Sequence, residues 1–364
     1  MPVQDLFKPL TLPRGPALKN RLLLAPLTNW QSNPDGTASE HEAPWLSRCA
    51  AGGFSMVMTC AAHVHPFGQA FPGQLGIHSD EHLPGLRKIA DEIRANGAIS
   101  SVQLHHGGVR VDPRFGGTPV GPPDFPATGG RGLTLVEVEN LRDDFIAAAK
   151  RAENAGFDGV EIHGAFGWVV MEFLSPLFNK RTDRYGGSFE NRARLLFEII
   201  GGIRATCGAD FQIGLRISME RYGWSLLEAQ LVAKRAIEEE EIDYLDLAVW
   251  DYRKIAQEEP FEGRSLLSVF TELPRSSVRL GASGHIMSAR QAVEVLDAGC
   301  DFVMLGKAAI LDPRFPNAAE KTPDYHAPAL PVTGDWLKKR SGLSDKFIEY
   351  MRTWEGFVAN DGLL

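Results

Sequence analysis

Short apolar runs rich in Val, Ile and Leu alternate along this chain with longer segments whose apolar residues recur at helical spacing. The runs at 21–26, 55–60, 99–104, 159–162, 212–217, 244–247, 278–282 and 302–305 read as strands. Each is close to continuously apolar instead of alternating with polar positions. That pattern marks strands covered on both faces, hence a parallel sheet wrapped by helices. Eight such strand–helix units are the number that closes a barrel, so the predicted fold class is α/β, a (β/α)8 TIM barrel. Helix starts are legible in Thr134-Leu-Val-Glu137 and Ser225-Leu-Leu-Glu228, where a hydroxyl and a carboxylate three residues on can satisfy each other's orphan amides. Asn96-Gly97, Ala155-Gly156 and Ala298-Gly299 read as helix ends, glycine taking the left-handed turn before the next strand.

Two segments break the rhythm. Residues 112–131 are rich in Gly and Pro and form either a hairpin lid over the barrel mouth or a surface excursion. The tail from about residue 325 carries a helical pattern at 336–351, suited to packing on the barrel or to a contact between subunits of a homo-oligomer. Barrels of 364 residues fold as one unit, so residues 1–364 read as a single domain.

Composition narrows the function classes. Hydrophobic content of 44% with 23% charged residues is that of an ordinary globular protein. A formal charge of −8 argues against nucleic acid as a partner, since phosphate binding needs a basic face. No apolar run reaches the roughly 18 residues of a membrane span. The start Met1-Pro-Val-Gln-Asp-Leu-Phe-Lys8 lacks a secretory pattern, and a cytoplasmic location is expected. Cys49, Cys60, Cys207 and Cys300 are scattered with no C-x-x-C pair, which disfavours zinc and iron–sulfur sites; no metal is expected. His63-Val-His65 resembles the ligand pair of a metal-dependent barrel hydrolase, but the later His and Asp ligands do not follow in order.

The C-terminal ends of barrel strands carry the chemistry of this fold. At those ends stand Pro26 and Thr28, Gln103 in Val102-Gln-Leu-His-His-Gly-Gly108, and His163. Arg216 closes an apolar run, where a buried cation needs an anionic partner, either an internal carboxylate or a ligand. Gly284-His285 and Gly306-Lys307 follow the last two strands, where TIM barrels place phosphate; glycine permits close approach and lysine supplies charge.

The stretch Asp158-Gly-Val-Glu-Ile-His-Gly-Ala-Phe-Gly-Trp168, continued by Phe173-Leu-Ser-Pro176 and Asn179-Lys-Arg-Thr-Asp-Arg-Tyr-Gly-Gly-Ser-Phe-Glu-Asn-Arg192, closely resembles the signature of the Old Yellow Enzyme family, flavin-dependent NAD(P)H oxidoreductases. The resemblance covers residues 5–320. It implies FMN as cofactor, NAD(P)H as reductant, and hydride transfer through flavin N5 to a small-molecule acceptor such as an activated alkene, quinone or nitro compound. It further implies that Pro26, Thr28, Ala61, Gln103 and Arg216 hold the flavin ring. Gly284, His285, Gly306 and Lys307 would hold its phosphate, and His163 would grip the acceptor's oxygen.

Two positions depart from the family pattern. Phe166 stands where a second hydrogen-bond donor belongs, and Trp168 where relatives have a proton-donating tyrosine. One donor lost from an oxyanion-type site is worth about 2.7–4 kcal/mol. Among His63, His65, His105 and His106, either His65 or His105 is the candidate to compensate. With Trp30 and Trp250, the two substitutions suggest an aromatic substrate pocket over the flavin. That pocket opens the alternatives of amine oxidation or demethylation, or ring desaturation, since aromatic faces attract cations and stack on flat rings. A weakly catalytic flavin-binding protein is the remaining alternative.

Overall fold

A computed structural model describes residues 1–359. Eight parallel strands close into a barrel: β1 (Leu22–Leu24), β2 (Met56–His63), β3 (Ile99–His105), β4 (Gly159–Gly164), β5 (Gln212–Ile217), β6 (Tyr244–Ala248), β7 (Arg279–Ser283) and β8 (Phe302–Leu305). Each pairs with its sequence neighbours, and β1 closes on β8 through Leu23 opposite Met304. The expected (β/α)8 fold is present. β1 is shorter than expected because Pro26 has no N–H to continue the ladder. β2 is longer, running through a register shift between Met58 and Ala61 to bring His63 opposite His105.

Strand periodicity decides where the chemistry sits. Outward positions such as Val160, Ile162, Leu215, Ile217, Leu245 and Leu247 are apolar and pack under the helices. Inward positions change character along the barrel axis. At the base, Leu23, Met56, Met58, Ile99, Tyr244 and Phe302 form a separate apolar cluster with Leu10, Leu12 and Leu18 of an N-terminal hairpin. That hairpin plugs the barrel floor, held by Gln212 Nε2 donating to the Arg14 carbonyl at 2.8 Å. Gly214 and Gly281 make room there, since a Cβ at either would lie 2.1 Å from the ring of Tyr244 or Phe302. Toward the C-terminal ends the same inward rows turn polar: Gln103 and His105, Glu161 and His163, Arg216, Asp246.

The helix Leu135–Asn154 begins with the full reciprocal cap between Thr134 and Glu137. At Ser225 only half forms, because the Glu228 carboxylate is taken by Arg192. Residues 112–132 hold a short helix (Pro113–Gly116), a parallel pairing of Val120–Gly121 with Arg131–Gly132, and between those two an antiparallel bridge of Phe125 with Gly130. The tail is two helical pieces, broken where Gly342 turns left-handed (φ 74) before Asp345–Arg352. No helix among the described residues is long and apolar enough to cross a membrane.

Candidate active site

Every strand, or the residues directly after it, reaches one cavity of about 580 Å³ at the C-terminal mouth of the barrel. Pro26, Thr28, Ala61, Gln103, His163, Phe166, Trp168, Arg216, Trp250, Gly284, His285, Gly306 and Lys307 all line it. Trp30, expected in the pocket wall, does not. Its backbone is left-handed (φ 57), and its ring packs 5.1 Å from Tyr350.

On the inner wall, Arg216 is 5% exposed. One guanidinium nitrogen lies 2.8 Å from Asp246 and the other donates to Ser283 Oγ at 3.1 Å. Neither its Nε–H nor the Nη1 that faces Asp246 has a hydrogen-bond partner among the described residues. Both readings of this arginine are thus met in one geometry: an internal ion pair with donors left over beside the cavity. Next to it Gln103 donates to Glu161 at 2.7 Å. Burial, with Asp246 adding repulsion, pushes the Glu161 carboxyl well above the usual carboxylate range, against the lowering effect of Arg216 and the Gln103 bond.

His163 Nδ1 accepts the Ala165 N–H at 3.3 Å, which assigns the ring proton to Nε2. Burial first, then Arg216 and Arg110, holds its pKa well below the usual histidine value. His105 is fixed in the same tautomer by Gln74. The Gln74 oxygen accepts from Ala70 at 2.7 Å, so its nitrogen donates to the Ala61 carbonyl at 3.0 Å and to His105 Nδ1 at 2.9 Å. The His105 Nε2–H has no hydrogen-bond partner among the described residues, and burial keeps the ring neutral. The two imidazoles stand 5.5 Å apart, centre to centre. Of the four histidines considered as compensating groups, only His105 lines the cavity. His63 and His106 are buried elsewhere, His63 with Nδ1 donating to the His65 carbonyl at 2.9 Å. No group of three or more metal-ligating side chains occurs among the described residues.

The aromatic wall is set by a strained turn. Phe166 (φ 60) and Gly167 (φ 74) are both left-handed, pinned where the Phe166 N–H donates to Ser218 Oγ at 2.9 Å. Trp168 lies edge-to-face with His105 at 4.7 Å, and the Arg110 guanidinium sits 3.9 Å over its ring. Arg110 comes from a turn at Gly108 (φ 63), where a Cβ would lie 2.3 Å from the buried Glu172 carboxylate that accepts the Val109 N–H. Trp250 is half exposed at the rim, 6.1 Å from Phe166.

Sequence reasoning missed Arg110, Tyr222, Tyr350 and Trp354, all of which line the cavity. Tyr350 and Trp354 stand one helical turn apart on the tail, a spacing that was legible but gave no address in space. The Tyr350 ring lies 6.0 Å from that of Trp354, and the Trp354 ring lies 5.4 Å from Lys307 Nζ. None of residues 112–131 lines the cavity.

The residues present suit a flat heteroaromatic ligand with an anionic tail. A volume of this order fits a cofactor. Arg216 keeps an unpaired buried donor, and a Cβ at Gly306 would meet only Leu27 at 3.4 Å and otherwise point into open space.

Residues 5–324 match the NADH:flavin oxidoreductase / NADH oxidase family. The chain is 37% identical over 326 residues to the "probable NADH-dependent flavin oxidoreductase YqiG" of Bacillus subtilis, covering 86% of this chain and 87% of that protein. It is 33% identical to the NADH:fumarate oxidoreductase of Klebsiella pneumoniae, covering 85% of this chain but 35% of that protein. Among solved structures, the old yellow enzyme homologue from Zymomonas mobilis aligns at a TM-score of 0.79 with 25% identity, over 95% of this chain and 99% of that one. Histamine dehydrogenase from Rhizobium sp. 4-9 aligns at 0.75 with 28% identity, over 88% of this chain and 48% of that one. This chain therefore spans a third to a half of the length of the longer relatives. With a family match over most of its length, the chain belongs to the NADH:flavin oxidoreductase, or Old Yellow Enzyme, family and is an NAD(P)H-dependent oxidoreductase whose cofactor is FMN.

Proposed function

We propose that this enzyme reduces a small neutral or anionic acceptor carrying a carbonyl-type or nitro oxygen, an activated alkene above all. Bound FMN supplies the two-electron chemistry, drawn from NAD(P)H. Pro26, Thr28 and Ala61 would flank the flavin ring, Gln103 and Arg216 would meet its polar edge, and Gly284, His285, Gly306 and Lys307 would hold the phosphate. The observation that carries the acceptor class is the His163 tautomer, which leaves Nε2–H as a neutral donor on the cavity wall. His105, locked the same way, is suited to recover the donor that Phe166 lacks.

A second reading, amine oxidation in an aromatic pocket, is favoured by Phe166, Trp168 and Trp250 together. Three cations weigh against it: Arg216, Arg110 and Arg221 lie 5.6, 3.9 and 5.2 Å over those three rings in turn. Faces already carrying guanidinium groups repel a further cation.

The test is anaerobic bleaching of the FMN-loaded protein by NADH or NADPH, then reoxidation by enones, quinones and nitro compounds, with amines offered to the oxidised protein. Oxidation of amines with no alkene turnover would reverse the assignment. His163→Ala should cut alkene turnover by about 100- to 1,000-fold, as for other lost oxyanion donors.

A further inference from the structure

We propose that Tyr222, in the loop after β5, is the proton donor for alkene reduction, taking the place of the tyrosine that position 168 lacks. The inference rests on the acceptor class proposed above.

Among the described residues two phenols, Tyr222 and Tyr350, line the cavity, and Tyr350 packs in the tail between Trp30 and Trp354, at 5.1 and 6.0 Å ring to ring. The Tyr222 ring lies directly against the turn that bears the departures. A Cβ built on Gly167 would be 2.8 Å from Tyr222 Cδ1 and 3.5 Å from Arg110 Nη1. Phe166, Trp168, Tyr222 and Arg110 therefore meet at one corner of the cavity. The backbone that holds Tyr222 there is strained: Arg221 (φ 71), Tyr222 (φ 57) and Gly223 (φ 76) are left-handed in succession. Two adjacent non-glycine residues in that region persist only where surrounding structure enforces them, and such strain gathers at functional sites.

Other candidates for the acid fail on chemistry. His163 and His105 are held neutral by burial and flanking cations, and a neutral imidazole N–H is a donor but a poor acid. The indole N–H of Trp168 is weaker still. Tyr222 is half-buried, and burial raises its pKa while Arg110 and Arg221 oppose the rise. It is thus protonated at neutral pH, with two guanidinium groups placed to stabilise the anion it becomes.

One alkene carbon would take up two electrons and one hydrogen, the chemistry that FMN held by Gln103 and Arg216 would supply. The neighbouring carbon forms its C–H bond with the proton of the Tyr222 hydroxyl, whose O–H bond breaks. The phenolate, flanked by Arg110 and Arg221, recovers a proton from water.

The test is Tyr222→Phe in FMN-loaded protein, followed in three separate measurements. Cofactor content and the rate of anaerobic bleaching by NAD(P)H report an intact site. Quinone turnover reports acceptor reduction in which the protons go to oxygen and exchange freely with water. Alkene turnover reports protonation of carbon. The expected result is a fall of about 100-fold or more in alkene kcat, the span of general-acid catalysis, with acceptor KM, bleaching and quinone turnover within about two-fold of wild type. Tyr222→Phe combined with Trp168→Tyr should restore alkene turnover. Unchanged alkene turnover in the single variant, or an equal loss of bleaching, quinone and alkene rates, overturns the role of Tyr222 alone. Wild-type protein that reduces quinones but no alkene overturns the acceptor class and this inference with it.

Discussion

The Arg110 guanidinium lies 3.9 Å over the Trp168 ring, so the indole that replaces the family's tyrosine already carries a cation on one face. One of the Arg110 nitrogens donates to the Phe166 carbonyl. The arginine thus ties both departures from the family pattern into one wall.

Removing that cation should change what the pocket accepts. Arg110→Gln is expected to tighten binding of tetramethylammonium by about 3- to 10-fold, the size of one partly exposed cation–π contact. Quenching of tryptophan fluorescence reads the affinity. Equal affinity in both proteins would show that Arg110 does not shield the ring.

Arg216 and Asp246 form a buried pair, and its two halves should not be removable one at a time. Arg216→Leu leaves the Asp246 carboxylate buried and unpaired, which costs about 3–5 kcal/mol. Arg216→Leu with Asp246→Asn should recover most of that loss in urea unfolding. A double variant as unstable as the single would mean the damage comes from packing.

Glu161 gives stability a pH dependence with a definite sign. Burial, with repulsion from Asp246, holds its carboxyl well above the ordinary value of about 4.3 that it has in the unfolded chain. Below the ordinary value both states hold the proton. As pH rises from that value toward the fold's own, the unfolded chain releases it and the fold does not, so stability is lost across that interval. Asp246, whose pKa is also raised by burial, adds in the same direction. Glu161→Gln should therefore flatten the decline in Tm between pH 5 and pH 8. A slope identical to wild type would rule out Glu161 as its source.

Lys307→Glu should release FMN, placing like charge against phosphate at the proposed tail site. A loss of at least about ten-fold in affinity is expected for replacing one charge-assisted contact by a repulsive one, measured by the fluorescence of freed flavin. Unchanged affinity would move the phosphate away from Lys307.

The barrel was legible because eight apolar runs cannot be covered on both faces in many other ways. Positions at strand ends were legible because a polar residue closing an apolar run has few structural excuses: Gln103, His163 and Arg216 all reach the cavity. The barrel floor was not legible, since nothing local in Leu10 to Leu18 says that the hairpin turns under the strands. Trp30 misled for a related reason. Its place two residues past Thr28 suggested the mouth, but the left-handed backbone at Trp30 sends its ring toward Tyr350. Tyr222 and Arg110 were hidden because loop geometry at Gly108 and Gly223, not periodicity, places them.

The tail closes the cavity with Tyr350 and Trp354, the Trp354 ring against Lys307. During synthesis all eight strands leave the ribosome before these two rings do. A nascent barrel therefore has its walls, and every residue proposed to hold FMN, before the side of the pocket that Tyr350 and Trp354 form. The tail is thus a late-made wall laid against a pocket whose cofactor contacts are already in place.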